Sequence, residues 1–140
     1  MSHSGNSSKA VDGNENGEYI VGSCTNTDAL QPTWWQVDLL SVLTLAEIHI
    51  YNRVDCCSGR LTYIEILTSV DNSSFVPCAS WNKTIPYRFT NSTVKLVTVL
   101  SCQDRRARWV KVAKTFIELF DSYLTLCEVK IFESKFIIHI

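Results

Sequence analysis

The sequence predicts an all-β domain, a sandwich or a barrel, on three observations. Several segments alternate apolar and polar residues with a period of two, others are dense in β-branched residues, and no segment keeps a helical period over three turns. Taken in chain order, Trp34 to Leu40 reads as a strand in which two adjacent tryptophans anchor the core. In Thr44 to Asn52, Ala46, Ile48 and Ile50 alternate with Glu47, His49 and Tyr51. In Leu61 to Val70, Ile64 and Ile66 share a face. Val94 to Leu100 and Arg108 to Ala113 are the β-branched segments. Leu124 to Phe132 places Cys127, Val129 and Ile131 on one side and Glu128 and Lys130 on the other.

A chain of 140 residues fits one domain, 1–140, and 46% hydrophobic residues suffice for its core. Residues 1–8 are Ser/Asn-rich and are expected to be mobile. Residues 135–140 form an apolar tail that could pack against a neighbour. A net charge of -1 supplies no basic footprint for nucleic acid. The one positive cluster, Arg105, Arg106 and Arg108, reads as a solvated loop. No apolar run is long enough for a membrane span, so no membrane insertion is expected. The first ten residues lack the apolar segment of a signal peptide; either a signal has been removed or the chain begins at the mature domain.

Six cysteines with no C-x-x-C pair argue for disulfides rather than zinc, and so for a secreted protein. Sequons at Asn6, Asn72, Asn82 and Asn91 agree with a glycoprotein on that route. Cys56 and Cys57 are adjacent. Neighbouring Cα atoms lie about 3.8 Å apart, whereas an unstrained disulfide wants roughly 4.4 to 6.8 Å. Either each pairs elsewhere, or they form a vicinal disulfide whose strained ring serves a site. Spacing leaves both open.

The run Asn52-Arg53-Val54-Asp55-Cys56-Cys57-Ser58-Gly59-Arg60-Leu61 resembles the signature of the F-type lectins, or fucolectins: Arg-x-Asp, four residues, then Arg or Lys. Four further segments match in order: Val11-Asp12-Gly13-Asn14, Gly22-Ser23-Cys24-Thr25, Trp34-Trp35-Gln36-Val37-Asp38-Leu39 and Leu124-Thr125-Leu126-Cys127-Glu128-Val129. The resemblance covers residues 9 to 132. It implies a jelly-roll β-sandwich of the discoidin type. It also implies the disulfides Cys24–Cys127, Cys56–Cys57 and Cys78–Cys102, which leave no thiol for a nucleophile.

The same resemblance implies binding of L-fucose or fucosylated glycans. Arg53 and Arg60 offer planar forks of donors suited to vicinal hydroxyls, and Asp55 between them can fix their orientation. In the family, arginines at these positions bond the sugar, and the Cys56–Cys57 ring packs against it. Tyr19 and Ile20 match the pocket for the fucose methyl group. One position departs. The family carries a histidine with 26 residues between it and the first arginine, and here that place holds Asn26. His3, His49 and His139 stand elsewhere. One lost neutral hydrogen bond costs about 0.5 to 1.5 kcal/mol, up to about tenfold in affinity. Asp55 with an arginine is also what an ordinary surface ion pair in a turn would look like.

Calcium is the cofactor that the family implies. Asp12, Asn14, Ser23 and Glu128 would supply side-chain oxygens, with backbone oxygens near Lys9 and Cys127. The bland alternative is a tight Asp-Gly turn and an exposed strand glutamate. Two other function classes compete. An adhesion or scaffold module without fucose activity is favoured by Asn26, and Trp81 is the one candidate for an exposed lipid-binding spike. An enzyme is not expected, because no nucleophile or metalloprotease motif occurs. Weak single-site sugar binding gains from multivalency, so a homo-oligomer or a tandem-domain parent is expected.

Overall fold

The computed structural model describes residues 7–17, 22–27, 33–56, 61–82, 88–89, 96–115 and 123–134. Six strands lie in one antiparallel network: β1 (Trp34–Asn52), β2 (Ile64–Ser69), β3 (Val76–Trp81), β4 (Arg88–Phe89), β5 (Leu96–Lys114) and β6 (Glu128–Glu133). Their order is β3-β2-β5-β1-β6, with β4 paired to β5. A short 3-10 turn at Ser7–Val11 precedes them, and no α-helix occurs among the described residues.

β1 and β5 are 19 residues each and pair along their whole length. Their register breaks twice, and in opposite senses. Residues 39–42 of β1 face Arg108 alone, whereas residues 102–104 of β5 face Ala46 alone. Extra residues on alternate strands bend a ribbon. Leu40, Gln103 and Asp104 take the left-handed conformation at the bend, with φ of 70°, 56° and 55°. On one side of the bend β5 carries β2 and β3; on the other, β4 and β6 complete the sheet. Trp35, Ile64, Ile66, Val110 and Val112 from the first half share one buried cluster with Ile48, Ile50 and Val129 from the second. The ribbon is therefore folded over its own apolar face, and the fold is an all-β sandwich.

The expected strands at Trp34–Leu40 and Thr44–Asn52 are thus two halves of β1, and the described residues of the two β-branched segments, 96–100 and 108–113, are parts of β5. The bends interrupt the alternation without ending the ladder, so the pattern reads as two strands. Arg105, Arg106 and Arg108 sit in β5 rather than in a loop, and Arg108 makes two hydrogen bonds to Asp38, at 2.7 and 3.0 Å. β3 was not expected, because Val76–Trp81 holds a proline and a cysteine and does not alternate cleanly. Trp81 is no exposed spike. It is 7% exposed, and its indole Nε1 donates to the Leu61 carbonyl at 3.0 Å. Ser7 and Ser8 belong to the 3-10 turn, and the Ser7 carbonyl accepts from Trp35 Nε1 at 3.0 Å. Residues 1–6 and the tail 135–140 lie outside the described residues.

Candidate functional site

The end of β1 is held from both sides by segments remote in sequence. Residues 25–27 and 124–126 pair through backbone and threonine bonds: Thr25 N donates to the Leu126 carbonyl at 2.8 Å, and Leu126 N returns to Thr25 Oγ1 at 3.0 Å. Cys127 N then donates to the Tyr51 carbonyl at 2.9 Å. The Cys24–Cys127 disulfide locks this junction, packed with Tyr51 and Val97. On the other side, Val54 N donates to the Gly17 carbonyl at 2.8 Å. A Cβ on Gly17 would lie 2.8 Å from a Val54 methyl and 2.9 Å from the Asn52 carbonyl oxygen, so this crossing requires glycine.

That clamp presents the expected sugar residues. Arg53 Nε donates to Asp55 Oδ1 at 2.6 Å, and a terminal nitrogen lies 3.4 Å from Oδ2. The side chains are 10% and 14% exposed, which reduces solvent screening of the pair. Asp55 Oδ1 also accepts from Cys56 N at 3.1 Å, and Arg53 N donates to Asn52 Oδ1 at 2.8 Å. The Arg-x-Asp triplet is therefore a closed local unit whose guanidinium is aimed by its own neighbour. Asn26 is 8% exposed, and its Oδ1 accepts from Thr125 Oγ1 at 2.8 Å. Cys56 is disulfide-bonded. Its expected partner Cys57, together with Arg60, Tyr19 and Ile20, lies outside the described residues. Cys78–Cys102 joins β3 to the bend of β5.

Of the expected calcium ligands, Asp12 and Glu128 lie close enough to interact, and the Cys24–Cys127 disulfide brings the segments of Ser23 and Glu128 together. Asp12 Oδ1 accepts from Asn14 N at 2.9 Å, and Asn14 Oδ1 accepts from Asn16 N at 3.0 Å, which makes two consecutive Asx turns. Lys9 Nζ donates to the Gly22 carbonyl and ties the 3-10 turn to the segment of Ser23. Ser23 is buried, with Oγ 3.5 Å from Cys24 Sγ. Glu128 is only 2% exposed, so it is not an outward strand residue as alternation implied. Burial pushes its carboxyl above the ordinary carboxylate range. The nearby Asp12 charge raises it further, while backbone N–H groups of Gly13 and Val129 and the Lys130 ammonium pull it down. Lys130 is itself engaged by Glu15 and lies 5.3 Å from the centre of the Tyr51 ring. Glu128 Oε2 is buried with no hydrogen-bond partner. An orphaned acceptor beside a second carboxylate suits a hard cation. The described residues hold no group of three His, Cys, Asp or Glu suited to a metal, so an ion here would draw on amide, hydroxyl and backbone oxygens as well.

The comparisons with known proteins decide the kinship. The model of the NedA-like, galactose-binding domain family matches residues 9–112. The chain belongs to that family, as an F-type lectin domain. Fucolectin-4 of Anguilla japonica is 47% identical over 68 residues, a stretch covering 47% of this chain and 37% of that relative. The chain therefore spans well short of the whole length of such relatives. A fucose binding module of Streptococcus pneumoniae is 31% identical, with a TM-score of 0.77 over 93% of this chain and 84% of that one. A fucolectin from the serum of Morone saxatilis, the striped bass, is 28% identical, with a TM-score of 0.78 over 94% of this chain and 43% of that one. These similarities establish the discoidin-type sandwich for this F-type lectin domain.

Sequence reading missed Thr125, Gly17 and Tyr51, which position Asn26 and the end of β1. Thr125 stands 99 residues from Asn26, and no local pattern couples the two.

Proposed function

We propose that this F-type lectin domain binds L-fucose or fucosylated glycans. The reading rests on the Arg53–Asp55 pair, which is held at the end of β1 in a chain related to proteins named fucolectins and to a fucose binding module. A sugar presents hydroxyls on a small apolar frame. Arg53 and Arg60 would donate to neighbouring hydroxyls, with Asp55 keeping the Arg53 guanidinium aimed. Asn26 would stand in the family's histidine place with a shorter polar reach. The Cys56–Cys57 ring, Tyr19 and Ile20 would supply the apolar contact. Asp12, Asn14, Ser23 and Glu128, with backbone oxygens of Lys9 and Cys127, would hold calcium. A bound ion would supply positive charge between Asp12 and Glu128, and these residues would thereby hold the early turn against β6. The disulfides and the striped bass serum relative support an extracellular setting. An oligomer or a tandem parent would raise avidity.

Asn26 favours one alternative, an adhesion module with altered or lost fucose binding. Titration of the protein with L-fucose by calorimetry separates the two. The expected result is saturable binding that Arg53→Ala weakens tenfold or more, since a hydrogen bond from a charged group is worth about 1.5 to 3 kcal/mol. Absence of binding at millimolar sugar would remove the fucose reading.

A further inference from the structure

The sequon at Asn72 stands on the opposite chemistry from the sugar site: an exposed turn beside aromatic surface. Asn72, Ser73 and Ser74 are all exposed. The turn is built by their neighbours. Asp71 Oδ1 accepts from Ser73 N at 2.8 Å and Ser74 N at 2.9 Å, and Ser69 Oγ accepts from Asn72 N at 3.0 Å. Asn72 Oδ1 accepts from Gln36 Nε2 at 2.8 Å. That bond fixes which way the amide faces, and it occupies the oxygen rather than the nitrogen.

The adjoining outer face of the sheet exposes a tryptophan to solvent. Gln36 lies opposite Lys111 in register, and Trp34, two residues along the same face, is 54% exposed. Lys111 Nζ lies 5.0 Å from the centre of the Trp34 ring and 4.1 Å from that of Phe75, which directly follows the sequon. Asn72 has a φ of 59°, and that conformation accounts for asparagine at this position. It does not account for a serine two residues on, or for an exposed tryptophan next to the turn.

We propose that Asn72 is an N-glycosylation site and that its glycan lies over the outer face formed by Trp34, Gln36, Phe75 and Lys111. The proposal depends on passage through the secretory route, which the disulfides support, and not on fucose binding. The donor is an oligosaccharide carried on a lipid pyrophosphate. Asn72 Nδ2 forms a bond to the first sugar carbon while the bond from that carbon to the pyrophosphate oxygen breaks. The lipid pyrophosphate leaves with the electron pair, and the transferase accepts one amide proton. Gln36 can keep its bond to Oδ1 throughout. The apolar faces of the sugars can then cover the Trp34 ring, which is 54% exposed, and the partly exposed Phe75 ring beside it.

The test is secretion of the chain, behind a cleavable leader, from a eukaryotic cell. Peptide mapping with glycosidase release in heavy-oxygen water should mark Asn72 as occupied. Ser74→Ala should remove one glycan mass. When both proteins are made without glycosylation, it should leave the melting temperature unchanged, because the turn uses the Ser74 backbone and not its hydroxyl. Hydroxyl-radical footprinting should oxidise Trp34 faster in Ser74→Ala than in the glycosylated protein. A secreted protein bare at Asn72 would overturn the site, whatever its sugar binding. Occupied Asn72 with Trp34 equally reactive in both forms would overturn the covering of the face.

Discussion

The end of β1 and the corner beneath β6 both shelter acidic side chains, but they do so in opposite ways. Asp55 sits against Arg53, with the charges matched within two residues and the carboxylate also accepting a backbone N–H. Glu128 sits near Asp12, like charge beside like, with one oxygen buried and unpartnered. The first arrangement is complete by itself and can hold its donors in place before a ligand arrives, which lowers the ordering cost of binding. The second is incomplete by itself, and its geometry is stable only at the expense of a raised carboxyl. On the proposed function, the self-sufficient pair serves recognition and the insufficient corner takes an ion.

Calcium should produce the largest effect. At about a hundredfold excess over its dissociation constant, an ion bound only by the folded state adds about 2.7 kcal/mol, or about 10 °C in Tm for a domain of this size. Scanning calorimetry with calcium and then with a chelator measures it. Glu128→Gln should abolish the response, and in chelator it should melt higher than the parent at neutral pH. The sign follows from the raised carboxyl. Stability from a raised group is fully present below its unfolded value and is lost as pH rises through its folded value. The calcium-free parent should therefore lose stability as pH rises through and above the ordinary carboxylate range, and Glu128→Gln should not. Identical curves with calcium and with chelator would remove the ion.

The same isosteric change at the other region should have the reverse sign. Asp55→Asn leaves the sheltered Arg53 guanidinium without its counter-charge, so both stability and fucose affinity should fall, by about 1.5 to 3 kcal/mol. Chemical denaturation and sugar titration of one preparation read both. If Asp55→Asn stabilised the domain as Glu128→Gln is expected to, the contrast between the regions would collapse.

How much of this was legible follows the same division. Local features were readable. The Arg53-Val54-Asp55 triplet declares its ion pair within a span of three residues, and the alternation declares Ile48, Ile50, Ile64 and Ile66, all fully buried, although Ala46 on the same expected face is only partly so. Long-range closures were not. Glu128 alternates with Val129 and so reads as outward, yet it is buried because the early turn around Asp12 covers it. Trp81 reads as a possible exposed anchor, yet Leu61 takes its indole proton. The merging of four expected strands into β1 and β5 depends on bulges at residues 39–42 and 102–104, where left-handed residues bend a ladder that periodicity alone treats as broken.

Asn26 tests a smaller term within the complete region. Asn26→His restores the family residue and should strengthen fucose binding by up to about tenfold, the scale of one neutral hydrogen bond. Thr125 is the control. It holds Asn26 Oδ1 at 2.8 Å, so Thr125→Val should weaken binding by the parent and should have less effect in the histidine background. A double-mutant cycle measured by titration separates the two contributions. Equal losses in both backgrounds would show that Thr125 acts on the fold and not through Asn26.

Asp38 supplies the smallest effect, and it fixes the reference for both acid sites. Its hydrogen bond from Arg108 holds the carboxyl below its usual value, the Leu40 N–H and the Arg108 charge lower it further, and partial burial opposes them. A lowered carboxyl gives stability that is present above its unfolded value and lost as pH falls through its folded value, the opposite direction from Glu128. The pair is well exposed, so water and salt screen it. Asp38→Asn should therefore flatten the acid limb of the stability curve only slightly, and less still at high salt. Its effect should not depend on calcium, because Asp38 contacts the bend of β1 and not the corner at Glu128. Thermal melts across the acid range at two salt concentrations provide the measurement. A change in Asp38→Asn as large as that of Glu128→Gln would mean that charge near the bend, rather than the unpartnered carboxyl, governs the pH response of the domain.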